Sequence, residues 1–153
     1  NDKIYKVDRS SSKVFEEFYT INNIKNIYSG GYILYVTTTD NNIYSCCVDS
    51  RNSGYPYSRL GRTEENVDEL VEVINEEKIG GTVKEINISD LSTMILYEDG
   101  TVYGCGWNNH GVLSDIINND SQSYKLKLFN FIGDIKINNI CGSDYSIFVR
   151  KPE

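Results

Sequence analysis

The chain has 153 residues, 39% of them hydrophobic and 24% charged, enough to bury one sizeable core, so residues 1–153 read as a single soluble domain. Its 22 acidic and 15 basic side chains leave a net charge of −7, a field that disfavours direct nucleic-acid or anionic-membrane binding. No run approaches the roughly 18 apolar residues of a membrane span, and twelve tyrosines beside two prolines exclude the composition of a disordered chain.

In chain order, Ile4-Tyr5-Lys6-Val7 reads as the last strand of a preceding repeat, residues 1–12, in a chain whose first residue is Asn rather than Met and which therefore reads as a piece. Three similar units follow. In each, an apolar stretch (Lys13-Val14-Phe15, Glu69 to Val73, Lys125 to Leu128) leads to a branched run ending at a small-residue turn, Gly30, Ser89 or Gly142. Ile86 and Ile140 lie 54 residues apart and Leu60 and Leu113 lie 53 apart, so the period is in the low fifties. This places an eroded repeat at 13–61, a second at 62–114 and the start of a third at 115–153.

After each turn comes a short run, Ile33 to Thr37, Met94 to Tyr97 or Ser146 to Val149, whose length and branched and aromatic content predict a strand buried on both faces. Asp99-Gly100 between apolar runs predicts a hairpin turn, because both residues tolerate positive φ. Asp40-Asn41 predicts the same turn one repeat earlier. Thr63 to Lys78 also carries helical spacing at Val67, Leu70, Val71 and Ile74. The repeat register instead favours a strand over Leu70 to Ile74 and a loop or one helical turn over Thr63 to Asp68. The fold expected is all-β.

Four cysteines, Cys46, Cys47, Cys105 and Cys141, include a vicinal pair and show no metal-knuckle spacing, which fits a reduced intracellular protein in the cytoplasm or nucleus. Cys46, Cys105 and Cys141 are expected as small buried hydrophobes. His110 is the only histidine, so neither a catalytic triad nor a paired-histidine metal site can be built, and no phosphate loop is present. Asp115, Asn118, Asn119 and Asp120 lack the spacing of a calcium loop. The expectation is no enzyme, no metal and no cofactor. The segment Val48 to Arg62 is some six residues longer than its counterpart and carries Tyr55, Tyr57, Arg59 and Arg62, residue types that dominate binding hot spots. With Trp107 and His110 in the corresponding loop of the next repeat, these are the candidate partner-binding residues, and Tyr55, Tyr57 and Arg59 are expected to be exposed.

The segment Asp99 to Ser114 resembles the repeat of the regulator of chromosome condensation family, Asp-Gly-x-Val-Tyr-x-Trp-Gly-x-Asn-x-x-Gly-Gln-Leu-Gly. The matches are Asp99, Gly100, Val102, Tyr103, Gly106, Asn108, Gly111 and Leu113, whereas Cys105, Val112 and Ser114 depart from it. The earlier repeat keeps Asp40, Ile43, Tyr44 and Arg59-Leu60-Gly61. The resemblance implies β-propeller blades, about three incomplete four-stranded ones from a larger, seven-bladed propeller or one completed by other subunits. It makes Asp40, Asn41, Asp99, Gly100, Gly106 and Gly111 structural turn residues. It further implies a protein-interaction module that binds a macromolecular partner through blade-top loops. The alternatives are guanine-nucleotide exchange on a Ran-like small GTPase and a structural subunit of a large assembly.

Overall fold

A computed structural model of the chain describes residues 1–7, 16–49, 57–117, 121–130, 134–144 and 146–153. Twelve strands and one short 3-10 helix are found among them. Strands β1 (Asp2–Lys6) and β2 (Glu16–Ile21) form a two-stranded sheet. A four-stranded sheet follows, in the order β3 (Ile24–Gly30), β4 (Ile33–Thr38), β5 (Ile43–Cys47), β6 (Val71–Glu72). A second is built the same way from β7 (Val83–Ile88), β8 (Ser92–Tyr97), β9 (Val102–Trp107) and β10 (Gln122–Leu128). Strands β11 (Asn139–Gly142) and β12 (Ile147–Arg150) close the chain as another two-stranded sheet. Every pairing is antiparallel.

The repeat unit of the sequence and the sheet are out of phase by one strand. β2, β6 and β10 open the sequence repeats at 13, 62 and 115, yet each is hydrogen-bonded to the sheet of the repeat before it. The chain therefore amounts to the last two strands of one blade, two whole blades and the first two strands of another.

Three apolar clusters separate these four sheets. Ile4, Leu34, Val36 and Cys46 fill the space between the first half-sheet and the first whole sheet. Ile33, Tyr35, Ile43, Ile95, Tyr97 and Tyr103 lie between the two whole sheets. Met94, Leu96, Val102, Ile137 and Ile140 lie between the second whole sheet and the last half-sheet. Alternate side chains of a strand point to opposite faces, and in β4 and β8 one set enters the preceding cluster and the other set the following one. Both strands are consequently buried at all six positions.

The hairpins form where expected. Between β8 and β9, Gly100 adopts φ 84°, and Asp99 Oδ1 accepts hydrogen bonds from the Thr101 amide at 3.1 Å and its hydroxyl at 2.7 Å. Between β4 and β5, Asn41 takes φ 68° and Thr38 Oγ1 accepts from the Asn42 amide at 3.1 Å.

Three expectations need correction. The strand expected over Leu70 to Ile74 shrinks to Val71–Glu72, extended by a hydrogen bond from the Val73 amide to the Ile43 carbonyl at 2.7 Å. Ile74 beyond it is 67% exposed and lines an open cleft shared with Lys125, Leu126 and Lys127 of β10. The run Ser146 to Val149 is not buried on both faces. Phe148 is 65% and Val149 41% exposed, since the last half-sheet has a neighbour on one side only. Cys141 is likewise exposed, whereas Cys46, Cys47 and Cys105 are buried. No helix among the described residues is long and apolar enough to cross a membrane.

Candidate protein-interaction face

At one end of the sheets the turns β3–β4, β7–β8 and β11–β12 lie beside the long connections β5–β6 and β9–β10. The backbone ties these loops together. The Val48 amide donates to the Tyr32 carbonyl at 2.8 Å, the Cys47 amide to Val67 at 2.6 Å and the Trp107 amide to Leu91 at 2.7 Å. Sequence-distant segments thereby form one surface.

Its surface chemistry differs from that expected of the Val48 to Arg62 segment. Arg59, on the 3-10 helix Tyr57–Leu60, is only 1% exposed, which corrects the expectation of an exposed guanidinium. It lies between the two whole sheets and hydrogen-bonds an inner turn of each. Nη1 donates to the Ser89 carbonyl at 2.7 Å and Nη2 to Gly31 at 2.6 Å. Its own carbonyl accepts from Tyr35 Oη at 2.5 Å and Thr93 Oγ1 at 2.9 Å. A side chain at Gly31 (φ 47°) would run into this guanidinium, so a residue without Cβ is required there. Burial lowers the Arg59 pKa, and Asp90 and Asp144 oppose the shift through their charge. The group stays cationic.

Arg62 is also buried, against its candidate role as a contact residue. Its Nε donates to Ser45 Oγ at 3.2 Å, and its two Nη groups reach the carbonyls of Ser45, Thr63, Glu65, Asn66 and Glu69. The physical reason for both corrections is the same. A guanidinium presents five donors, and irregular loops leave many carbonyls without ladder partners. Both arginines are consumed inside the fold.

Of the other candidates, Tyr55 lies outside the described residues. Tyr57 is half-buried, and desolvation raises its phenol pKa. Trp107 is half-buried at the end of β9, and His110 is exposed in the turn that follows. That turn is built by Asn108, whose side-chain oxygen accepts from the Leu113 amide at 2.7 Å, and by Gly111 at φ 78°. Gly106 adopts φ 122°, and a Cβ there would strike the backbone of Leu91 and Ser92. The glycine thus permits the contact that seats Trp107.

Sequence reasoning missed two members of this face. Tyr32 is 39% exposed at φ 66°, and Asp90 is exposed in the β7–β8 turn. Asp144 belongs to the same end, its Oδ1 accepting from the Leu91 amide at 2.9 Å. The loop caged around Arg62 exposes Glu64, Glu65, Asp68 and Glu69. Among the described residues, aromatic and acidic side chains therefore prevail on this face. Among the described residues no group of three His, Cys, Asp or Glu side chains is placed to hold a metal ion.

The family model of the regulator of chromosome condensation (RCC1) repeat matches residues 83–112, covering β7, β8, β9 and the turn at His110. No curated protein matches the chain in sequence. Among solved structures, human WBSCR16 superposes with a TM-score of 0.72 at 14% identity, over 90% of this chain and 33% of that one. A chain in the structure of Kap60 bound to yeast RCC1 (Prp20) gives 0.72 at 14%, over 94% and 34%. Prp20p from Saccharomyces cerevisiae, whose structure was described with its binding to Gsp1p and histones, gives 0.68 at 16%, over 86% and 31%. The chain thus carries an RCC1-type repeat and has the fold of RCC1-like propellers. It spans about a third of the length of the structures it matches.

Proposed function

We propose that this chain is an intracellular protein-interaction module that works by binding rather than by chemistry, and that its aromatic and acidic face receives a basic polypeptide segment. The observation that carries this reading is the withdrawal of Arg59 and Arg62 into the fold, which leaves Tyr32, Tyr57, Trp107 and His110 beside Asp90, Asp144 and the glutamates of the 64–69 loop. Half-buried aromatic groups supply contact area at low entropic cost. Surrounding carboxylates steer a cationic partner and raise its association rate. The binding of Prp20p to histones and Gsp1p, named with its structure, supports protein partners for this fold; fold alone does not select among them.

The test is a titration of a fluorescent lysine- and arginine-rich peptide with the chain, repeated over a salt series. Wild type should bind with an affinity that falls as salt rises, and Trp107→Ala should weaken binding about tenfold, the equivalent of ~1.4 kcal/mol, without lowering the melting temperature. Equal peptide binding by both proteins would overturn the reading. Accelerated release of labelled GDP from a Ran-like GTPase would instead favour nucleotide exchange.

A further inference from the structure

The two whole sheets meet along their outermost strands, β6 and β10, at an open cleft. Glu72, Ile74 and Glu76 line it on the first sheet, and Lys125, Leu126 and Lys127 on the second. Both sheets have all four strands, so the cleft is set by the packing of one complete sheet on the next. Its volume is about 280 Å³, just below the range of pockets that enclose a small molecule and suited to the side chains of a narrow polypeptide segment.

Among the described residues β6 pairs with β5 alone. The Val73 amide donates to the Ile43 carbonyl at 2.7 Å, and the backbone groups of an antiparallel strand alternate between its two edges. The N–H and C=O groups of Glu72 and Ile74 are therefore directed away from β5. Natural sheets blunt such an edge by keeping it short and charged. β6 has two residues, with carboxylates at Glu72 and Glu76. These features deter a long, flat strand and leave room for a short one of complementary charge.

The two walls carry opposite charges and share an apolar middle. Ile74 is 67% exposed and Leu126 is buried against the central cluster. Lys125 Nζ and Glu76 Oε2 stand 3.7 Å apart with side chains 76% and 75% exposed, a pair that holds little in water and yields to an incoming strand. Lys127 has no ion-pair partner among the described residues. Arg62 also lines the cleft, but its donors are taken by loop carbonyls and Ser45. The edge is held in place before anything binds. Buried Asn75 donates through Nδ2 to Tyr97 Oη at 3.1 Å and accepts at Oδ1 from the Glu77 amide at 3.2 Å, which lowers the ordering cost of association.

We propose that this cleft binds an extended segment of a partner protein, added as a strand to β6 through the backbone of Glu72 and Ile74, in which aliphatic residues lie between an acidic and a basic one. The aliphatic side chains cover Ile74, the carboxylate meets Lys125 and Lys127, and the cation meets Glu72. Strand addition takes its affinity from main-chain hydrogen bonds and its specificity from alternate side chains. A uniformly basic segment, the partner assigned to the interaction face, would set its cations against Lys125 and Lys127 and be disfavoured here. The two sites therefore select different segments, and neither reading rests on the other.

The experiment titrates the 153-residue chain with a fluorescent peptide of core sequence Glu-Val-Ile-Val-Lys and follows amide exchange by nuclear magnetic resonance. The peptide should bind, and at saturation it should slow exchange of the Glu72 and Ile74 amides. Lys127→Glu should weaken binding about tenfold or more with an unchanged melting temperature. Trp107→Ala should leave binding as it is, and a lysine- and arginine-rich peptide should not displace the bound one. No binding, equal binding by wild type and Lys127→Glu, or unchanged exchange at Glu72 and Ile74 in the saturated wild-type protein would overturn the proposal. Loss of binding in Trp107→Ala, or displacement by the basic peptide, would also overturn it by moving the site to the interaction face.

Discussion

At the scale of single residues, Arg59 shows how one side chain can be read in two ways. Beside tyrosines in an inserted loop of an acidic protein, it carries the composition of a contact site. In the structure it joins the inner turns of two sheets through Ser89 and Gly31 and is almost fully buried. Arg59→Ala removes two charge-assisted hydrogen bonds, leaves their carbonyls without that partner and opens a void. The expected cost is about 3 kcal/mol, which for a chain of this length lowers the melting temperature by roughly 6–12 °C. Arg59→Lys should recover only part of it, because an ammonium lacks the fork that reaches both turns. Thermal unfolding followed by near-ultraviolet circular dichroism decides the matter. An unchanged melting temperature in Arg59→Ala would show that the two turns hold without the guanidinium.

Individual elements were legible where the signal is local. The Asp99-Gly100 turn is written in two residues, and its carboxylate makes a prediction. Partial burial of Asp99 opposes ionisation, but hydrogen bonds from Lys78 and Thr101 outweigh it and bring its pKa down to about 2. A depressed carboxylate contributes stability that is present above the unfolded pKa, near 4, and disappears as pH falls through the folded value. Asp99→Asn should therefore be less stable than wild type at pH 5–7, with the gap closing between pH 4 and 2. Urea midpoints measured along that series test it, and a gap that persists at pH 2 would mean the charge is not responsible. Other elements could not be read so directly. The apolar stretch at Leu70 to Ile74 pairs over Val71–Glu72 because the Arg62 cage fixes where the chain enters that edge, a constraint supplied by distant carbonyls. Tyr32 and Asp90 reach the interaction face because the turns that carry them stand beside longer loops, which no spacing in the sequence encodes.

For the whole molecule, the sheets form a line in which each touches only its neighbours, so stability should be approximately a sum of sheet and interface contributions. The central interface holds the largest cluster and is crossed by Arg59, whereas the terminal half-sheets each rest on one neighbour. Hydrogen exchange measured by mass spectrometry on dilute protein should then show a gradient. Amides of β4, β5, β8 and β9 should exchange slowest, and those of β1 and β12 fastest, because local opening of an edge strand exposes little apolar surface. A substitution should follow the same order. Ile95→Ala, at a fully buried position in the central interface, should cost about 2–5 kcal/mol and speed exchange in both whole sheets together. Phe148→Ala, on an exposed edge, should change neither. If β12 is instead as protected as β8 at low concentration, the terminal half-sheet is held by contacts other than those of its single interface, and the linear account of stability fails.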